Sequence, residues 1–267
     1  MSDSIKPLAY YATLEHAQWI LGTDGQYLHQ IGKCKDVQAA SRMLRDYNVA
    51  RTIWGKGGLP VLVQEVFDKL KSESWPDDLM DRARWCASAA KSNAEQSSVT
   101  SKRTQGAPYS AVTKLCWFLR PSGWTMYDQF ACLGLTGSKG ANACERFESF
   151  YDALHETGFT EKAACANQIV KDRFECNIFF AERIIDKFLM IRGKIWSQKN
   201  LDVGMKVRKQ LTCNNQLFLD NLLRISGASD TSIGKRIDQL ATKISEILPN
   251  DSFKTDYVEE QLKRIPI

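Results

Sequence analysis

The feature that most constrains the fold is the spacing of the apolar residues, which repeats at the period of an α-helix. In residues 61–70 they fall at i, i+3, i+4 and i+7, and residues 179–191 carry a second strong apolar stripe. The alternating pattern that is typical of strands is short and rare in this chain. The sequence therefore predicts an all-α protein.

Glycines, prolines and polar runs predict where the helices end. A first short helix is expected to stop at the glycines of residues 22–25, and residues 55–60 are a glycine-rich break. Residues 91–109 lack apolar periodicity and are rich in small polar side chains, so we expect a surface loop that connects two halves of the protein. Gly193 is expected to end the helix that contains residues 179–191.

Composition narrows the class of protein. The chain has 267 residues, of which 43% are hydrophobic, and this is enough to fill a substantial core. Its net charge of +5 is compatible with binding a polyanion but does not require one. No apolar run approaches the length of a membrane span, and no secretory signal is recognisable at the N-terminus. We therefore expect a cytoplasmic protein without a membrane partner.

The cysteines and histidines do not form a metal-binding pattern. The eight cysteines are scattered without a CxxC pair, and three histidines are too few and too isolated to complete a zinc site. We expect reduced, buried cysteines and no bound metal. The GKGG sequence at residues 55–58 lacks the spacing of a Walker loop, and no other cofactor motif is present, so no cofactor is expected.

Residues 110–135, SAVTKLCWFLRPSGWTMYDQFACLGL, are the most informative stretch of the sequence. Their first part carries a helical apolar stripe that ends at Pro121, and Ser122 and Gly123 then turn the chain. Asp128 directly precedes a second apolar helix over residues 129–135. Because aspartate is a favoured residue at the start of a helix, we expect Asp128 to be its N-cap.

This arrangement resembles the helix-hairpin-helix superfamily of DNA glycosylases, in particular divergent relatives of the 8-oxoguanine DNA glycosylases. The matching elements are Lys114 on a helix, Pro121, and the Met-Tyr-Asp sequence at residues 126–128. Two weaker matches, DYNVARTIWGKGG at residues 46–58 and ERIIDKFLMIRGK at residues 182–194, extend the resemblance over about residues 40–194. The glycine-rich hairpin of the superfamily is replaced here by GAPYS, and the iron-sulfur cysteines of some members are missing.

The resemblance implies an architecture and an activity. Residues 1–193 would form a helical, glycosylase-like core, and residues 194–267 a C-terminal helical extension that packs on it. The protein would bind DNA and cleave the N-glycosidic bond of a damaged or modified base, for example a hypermodified base of phage DNA. Asp128 would stabilise the cationic sugar or activate water, and Lys114 would attack the sugar carbon as an amine.

Further residues follow from the same resemblance. Base excision requires an extruded nucleotide that is stacked on aromatic side chains, and basic side chains would contact the phosphates. The residues expected to line the base pocket are Trp54, Trp117, Trp124 and Tyr127. The residues expected to contact DNA are Arg51, Lys56, Lys102, Arg103, Tyr109 and Lys139.

Each of these residues also has a structural interpretation. Asp128 can be a helix cap without any catalytic role, and Lys114 can extend along an apolar stripe with its amine in water. The aromatic residues can belong to the core, as most do. The alternative hypothesis is therefore a non-catalytic helical DNA-binding or protein-interaction module, or an adaptor with no role in binding nucleic acid.

Overall fold

The computed structural model describes residues 19–50, 58–100, 106–138, 140–174, 180–197 and 239–244, together with residues 9, 12, 13, 15, 16 and 53. These residues contain helices and connecting turns and no strand, so the prediction of an all-α fold is confirmed. The α-helices of eight or more residues are α1 (Val37–Asp46), α2 (Gly58–Ser72), α3 (Leu79–Thr100), α4 (Tyr109–Leu119), α5 (Gln129–Thr136), α6 (Ala143–Glu156), α7 (Phe159–Phe174) and α8 (Ala181–Ser197).

A distorted helical segment precedes α1. It consists of Ile20–Asp24 and Leu28–Lys33, which form wide π-type turns, and the single α-turn Gly25–Tyr27 between them. The backbone leaves helical geometry at Gly22, where φ is −94° and ψ is −107°. The predicted break is therefore confirmed at Gly22, where two helical stretches meet at a kink, but the chain resumes helical structure directly after it and does not form a loop over residues 23–25.

Two other predicted boundaries are corrected by the structure. Residues 91–100 belong to α3 and are not part of a connecting loop. Asn93 explains part of this difference, because its side chain is buried and donates a 2.7 Å hydrogen bond to the carboxylate of Glu65, a tertiary contact that no local pattern reveals. Gly193 does not end α8, which continues to Ser197.

Helix α4 lies at the centre of the protein. All of its residues are buried except Ser110, which is half-buried. Helices α1, α2 and α3 and the segment Leu28–Lys33 pack around it. A helix that is apolar on every side has this central position because no face of it favours water. Any polar group that α4 carries is therefore held inside the protein.

Helices α5 and α8 make the most extensive helix-helix contact among the described residues, and α5 also packs on α6. The short helical stretch at residues 239–244 contributes Leu240, Ala241 and Ile244 to the same hydrophobic core. The rest of the proposed C-terminal extension, residues 198–238 and 245–267, lies outside the described residues. Within the described part of the chain, no helix combines the length and hydrophobicity of a membrane span.

The cysteine prediction is confirmed only in part. The six described cysteines are all free, as expected for reduced thiols. Cys86, Cys116 and Cys132 are buried and Cys144 is half-buried. The prediction that the cysteines are buried is wrong for Cys34, which lies in the turn after Leu28–Lys33, and for Cys165 on α7, since both are exposed.

Candidate active site

The candidate site is built by the chain segment that leaves α4, turns, and returns along it to begin α5. The Thr113 hydroxyl accepts a 3.1 Å hydrogen bond from the amide of Tyr127, and the Ser110 hydroxyl donates a 3.1 Å bond to the carbonyl of Tyr127. The hydroxyl of Tyr151, on α6, donates to the carbonyl of Thr125 at 2.9 Å. These bonds fix the returning segment against α4.

The turn itself is held by two charged side chains from other helices. Gly123 has φ of +80°, a left-handed conformation that glycine adopts without strain, and its amide donates a 2.8 Å bond to the carboxylate of Glu182. The guanidinium of Arg82 donates to the carbonyl of Ser122 at 2.8 Å and to that of Pro76 at 2.7 Å. The predicted turn at Ser122 and Gly123 is thus confirmed and is fastened to α3 and α8.

Asp128 is the N-cap of α5, as predicted. Its backbone is extended, and its Oδ1 accepts a 2.8 Å hydrogen bond from the amide of Phe130. This bond uses one carboxylate oxygen and fixes the rotamer of the side chain. The other oxygen, Oδ2, remains available for a second partner. Because 18% of the side chain is accessible to water, the carboxylate lies at the edge of the protein interior.

The second partner of Asp128 is Lys114, and the two residues form a buried ion pair. The Nζ of Lys114 lies 3.2 Å from Oδ2 of Asp128 and also donates to the hydroxyl of Ser110 at 2.8 Å and to the carbonyl of Tyr127 at 3.2 Å. The lysine side chain is only 2% exposed, and it is the single charged residue of α4. The interpretation that Lys114 extends into water is therefore wrong.

Burial and charge shift the acid-base properties of this pair. Burial, and the nearby guanidinium of Arg183, lower the pKa of Lys114, while the carboxylate of Asp128 acts in the opposite direction. Burial alone would raise the pKa of Asp128, but Lys114, the amide of Phe130 and the more distant Lys194 outweigh burial and hold that pKa below its usual value. The site thus contains an ionised carboxylate beside a desolvated amine.

A polar cluster adjoins Lys114 and consists of the half-buried Tyr47 and the fully buried Asp24, Arg183 and Asp186. The ring of Tyr47 lies 5.9 Å from Nζ of Lys114, and its hydroxyl donates to Asp24 at 2.7 Å. Arg183 donates to the same hydroxyl at 2.8 Å and pairs with Asp186. This cluster was not predicted from the sequence. One signal was present, since Arg183 and Asp186 interrupt the apolar residues of α8 at a spacing that places them on one face.

The three described aromatic residues of the predicted base pocket lie in the core. Trp117 and Trp124 are fully buried, and Tyr127 is 6% exposed. Their rings pack on other aromatic rings, with centroid distances of 5.1 Å from Trp117 to Phe118, 5.3 Å from Trp124 to Trp75 and 5.4 Å from Tyr127 to Phe147. These contacts match their structural interpretation and give no open ring face on which a base could stack.

Of the predicted DNA-contacting residues, Tyr109 is the one that the structure describes. It is 5% exposed and its ring stacks on Phe147 at 4.7 Å, so its side chain supports α6 and does not face solvent. The base-pocket residue Trp54 and the other DNA-contacting residues lie outside the described residues: Arg51, Lys56, Lys102, Arg103 and Lys139.

Two further observations delimit the candidate site. A groove of about 670 Å³ lies between α3 and α6, but neither Lys114 nor Asp128 lines it. The described part of the chain contains no group of three or more His, Cys, Asp or Glu side chains arranged to hold a metal ion. Comparisons of the chain with protein-family models, with curated proteins and with solved structures give no match.

His16 links the charged residues of α8 to the pH dependence of stability. It is fully buried, and its Nε2 accepts a 3.2 Å hydrogen bond from the amide of Phe180. Burial first, and then the charges of Arg183 and Lys187, hold the pKa of His16 well below its ordinary value. The folded protein therefore keeps His16 neutral at a pH where the unfolded chain binds a proton there.

We expect the contribution of His16 to oppose folding below about pH 6.5, by about 1 kcal/mol per pH unit until the pKa of the folded state is reached. Urea unfolding at pH 7.5, 6.5 and 5.5 checks this, with His16→Gln as the variant that still offers an acceptor to Phe180. The loss of stability on acidification should be smaller in His16→Gln than in the wild type. Equal losses in the two proteins would contradict the assignment.

Proposed function

We propose that this protein is a DNA N-glycosylase that releases a damaged or modified base and leaves an abasic site, with Asp128 and Lys114 as its catalytic residues. The observation that carries the proposal is the buried Lys114–Asp128 pair, with its amine 2% exposed and its carboxylate open to water on one edge. The resemblance in residues 110–135 assigns the same two residues. DNA is the proposed partner, and modified phage DNA is the proposed target class.

A purely structural role explains this pair less well. A buried ion pair contributes little to stability, because the replacement of both of its residues by well-packed apolar residues is often neutral or stabilising. Lowered pKa values that result from burial and from specific charged neighbours are concentrated at functional sites. A lysine in the middle of an otherwise uncharged central helix is therefore better explained by chemistry than by folding.

The arrangement suits displacement at the anomeric carbon of a nucleotide. The lone pair of neutral Lys114 would form a bond to C1′ while the bond from C1′ to the base breaks. The base would leave with the bonding electrons and take up the proton that the amine loses after its attack. The ionised Asp128 would stabilise the positive charge that develops on the sugar. The cap bond from Phe130 orients this carboxylate without neutralising it.

The test is the release of bases from DNA of different origins. Purified protein is incubated with single- and double-stranded DNA from bacteria and from phages that carry modified bases, and abasic sites are counted with an aldehyde-reactive probe. We expect abasic sites in at least one of these DNAs, and at least about tenfold fewer with Asp128→Asn, because a carboxylate that acts in the transition state contributes that much or more.

The matched control is Asp36→Asn. Asp36 also caps a helix, since its carboxylate accepts bonds from the amides of Gln38 and Ala39, but it does not contact Lys114. Base release should be unchanged in this variant. Absence of abasic sites on every DNA, or equal release by the wild type and Asp128→Asn, would overturn the proposal. DNA binding without base release would favour the non-catalytic binding module instead.

A further inference from the structure

Two cations of this protein face the same aromatic ring. The Nζ of Lys114, on α4, lies 5.9 Å from the centroid of the Tyr47 ring, and Cζ of Arg183, on α8, lies 5.4 Å from it. Both side chains are at most 2% exposed. Arg183 therefore repels a charged Lys114, and in a protein interior such repulsion is much stronger than it would be in water. One of the two has to accommodate this repulsion.

Arg183 is held in its charged form. It pairs with Asp186, its Nε lies 3.8 Å from Oδ2 of Asp24, and its Nη2 donates to the Tyr47 hydroxyl at 2.8 Å. Burial tends to lower the pKa of Arg183, but Tyr47 and Asp24 outweigh burial and raise it. Since a guanidinium loses its proton only at very high pH in any case, Arg183 is a fixed positive charge. Lys114 is then the group that can respond by losing a proton.

We propose that Arg183 is a positioning residue for the amine of Lys114: it supplies a fixed second cation that favours the neutral, nucleophilic form of that amine. A neighbouring cation is one of the known ways in which a protein activates a lysine nucleophile. The consequence for activity rests on the proposed function, but the effect on Lys114 does not. Arg183 does not touch the substrate in this role and acts only through Lys114.

The protonation of Lys114 also depends on the groups that face its amine from each neighbouring element. Its own helix provides the Ser110 hydroxyl, the returning segment provides the Tyr127 carbonyl and the carboxylate of Asp128, and Tyr47 follows α1. The Asp128 carboxylate favours the charged lysine most strongly among these groups, and the two other hydrogen-bond acceptors and the face of the Tyr47 ring favour it as well. Burial and Arg183 outweigh these groups and lower the pKa of Lys114.

The test measures the titration of Lys114 directly. The ¹³Cε resonance of Lys114 is assigned by its loss in Lys114→Met and is followed by NMR between pH 6 and 11. In the wild type we expect a midpoint clearly below the ordinary lysine value of about 10.4. In Arg183→Gln it should rise by about one pH unit or more, and in Arg183→Lys, which keeps the positive charge, it should stay close to the wild-type value.

A second variant tests the inference in case Arg183→Gln does not fold. Arg183→Gln leaves Asp186 without its partner, whereas the double variant Arg183→Gln/Asp186→Asn removes a cation and an anion together, and its Lys114 midpoint should also rise. An unchanged midpoint in folded Arg183→Gln or in the folded double variant would overturn the inference. A wild-type midpoint at or above the ordinary lysine value would overturn it as well, whether or not the variants fold.

These outcomes separate the inference from the proposed function. The NMR titration requires neither DNA nor activity, so a shifted midpoint without base release would support the role of Arg183 and reject the glycosylase. Base release with an unshifted midpoint would reject the role of Arg183 alone. If the role of Arg183 and the glycosylase activity are both correct, formation of the reducible adduct with DNA should rise with pH. The midpoint of that rise should move upward in Arg183→Gln by the same amount as the midpoint of the Lys114 titration.

Discussion

Gly193→Ala is expected to destabilise the protein by at least about 3 kcal/mol, a large part of the stability of an ordinary domain. Gly193 lies where α8 crosses α5, and a Cβ added there would overlap the carbonyl oxygen of Phe130. Gly134 has the reciprocal position on α5, against the carbonyl of Leu189. Because the obstructing atoms belong to the backbone, no change of side-chain rotamer can relieve the overlap, and the two helices would have to separate.

Gly106→Ala is the matched control for this prediction. No atom lies within 4 Å of a Cβ added to Gly106, which precedes α4 in an exposed position. Urea unfolding followed by circular dichroism should give a midpoint close to the wild-type value for Gly106→Ala and a much lower one, or no folded protein, for Gly193→Ala. Similar midpoints for the two variants would show that the crossing tolerates a wider separation.

The crossing of α5 and α8 also matters for the candidate site. Helix α5 begins at the cap Asp128, and α8 carries Arg183 at its other end. Separation of the two helices would therefore change the position of the carboxylate relative to the cluster around Arg183. A Gly193→Ala protein that still folds should show an altered titration of Lys114, since that amine donates to Asp128 and is repelled by Arg183.

Local sequence patterns were sufficient to predict the centre of the site. The stop at Pro121, the turn at Gly123 and the cap at Asp128 depend on chemistry that acts within a few residues. The helix predicted over residues 129–135 therefore agrees closely with α5, Gln129–Thr136. The all-α fold followed from apolar spacing for the same reason, because each stripe reports on its own helix.

Other features could not be predicted because they depend on contacts between distant parts of the chain. Gly193 resembles a helix stop, yet its lack of a side chain serves the approach to α5. Residues 91–100 look like a loop until the bond between Asn93 and Glu65 is known. The contact of Tyr47 with Arg183 joins residues 136 positions apart, and no periodicity in the sequence reports on it.

Lys114→Met is expected to abolish the covalent adduct that borohydride traps when the protein reacts with DNA containing an abasic site. An amine that attacks C1′ of the sugar gives an imine after the ring opens, and borohydride reduces the imine to a stable bond. Methionine has a similar length and no amine, so it removes this chemistry while it fills the same space. Asp128 keeps its cap bond to Phe130 and its contact with water in this variant.

Lys187→Met is the decisive comparison, because Lys187 is the rival nucleophile. The Lys187 side chain is 2% exposed, and its Nζ lies 3.0 Å from the carboxylate of Glu15. Burial and the charge of Arg183 lower the pKa of Lys187 to about 8, although Glu15 acts in the opposite direction. If Lys114 is the nucleophile, Lys187→Met retains the adduct and Lys114→Met loses it, whereas the opposite result assigns the attack to Lys187. Base release by the wild type without any adduct would instead indicate attack by water, with Asp128 as the residue that activates it.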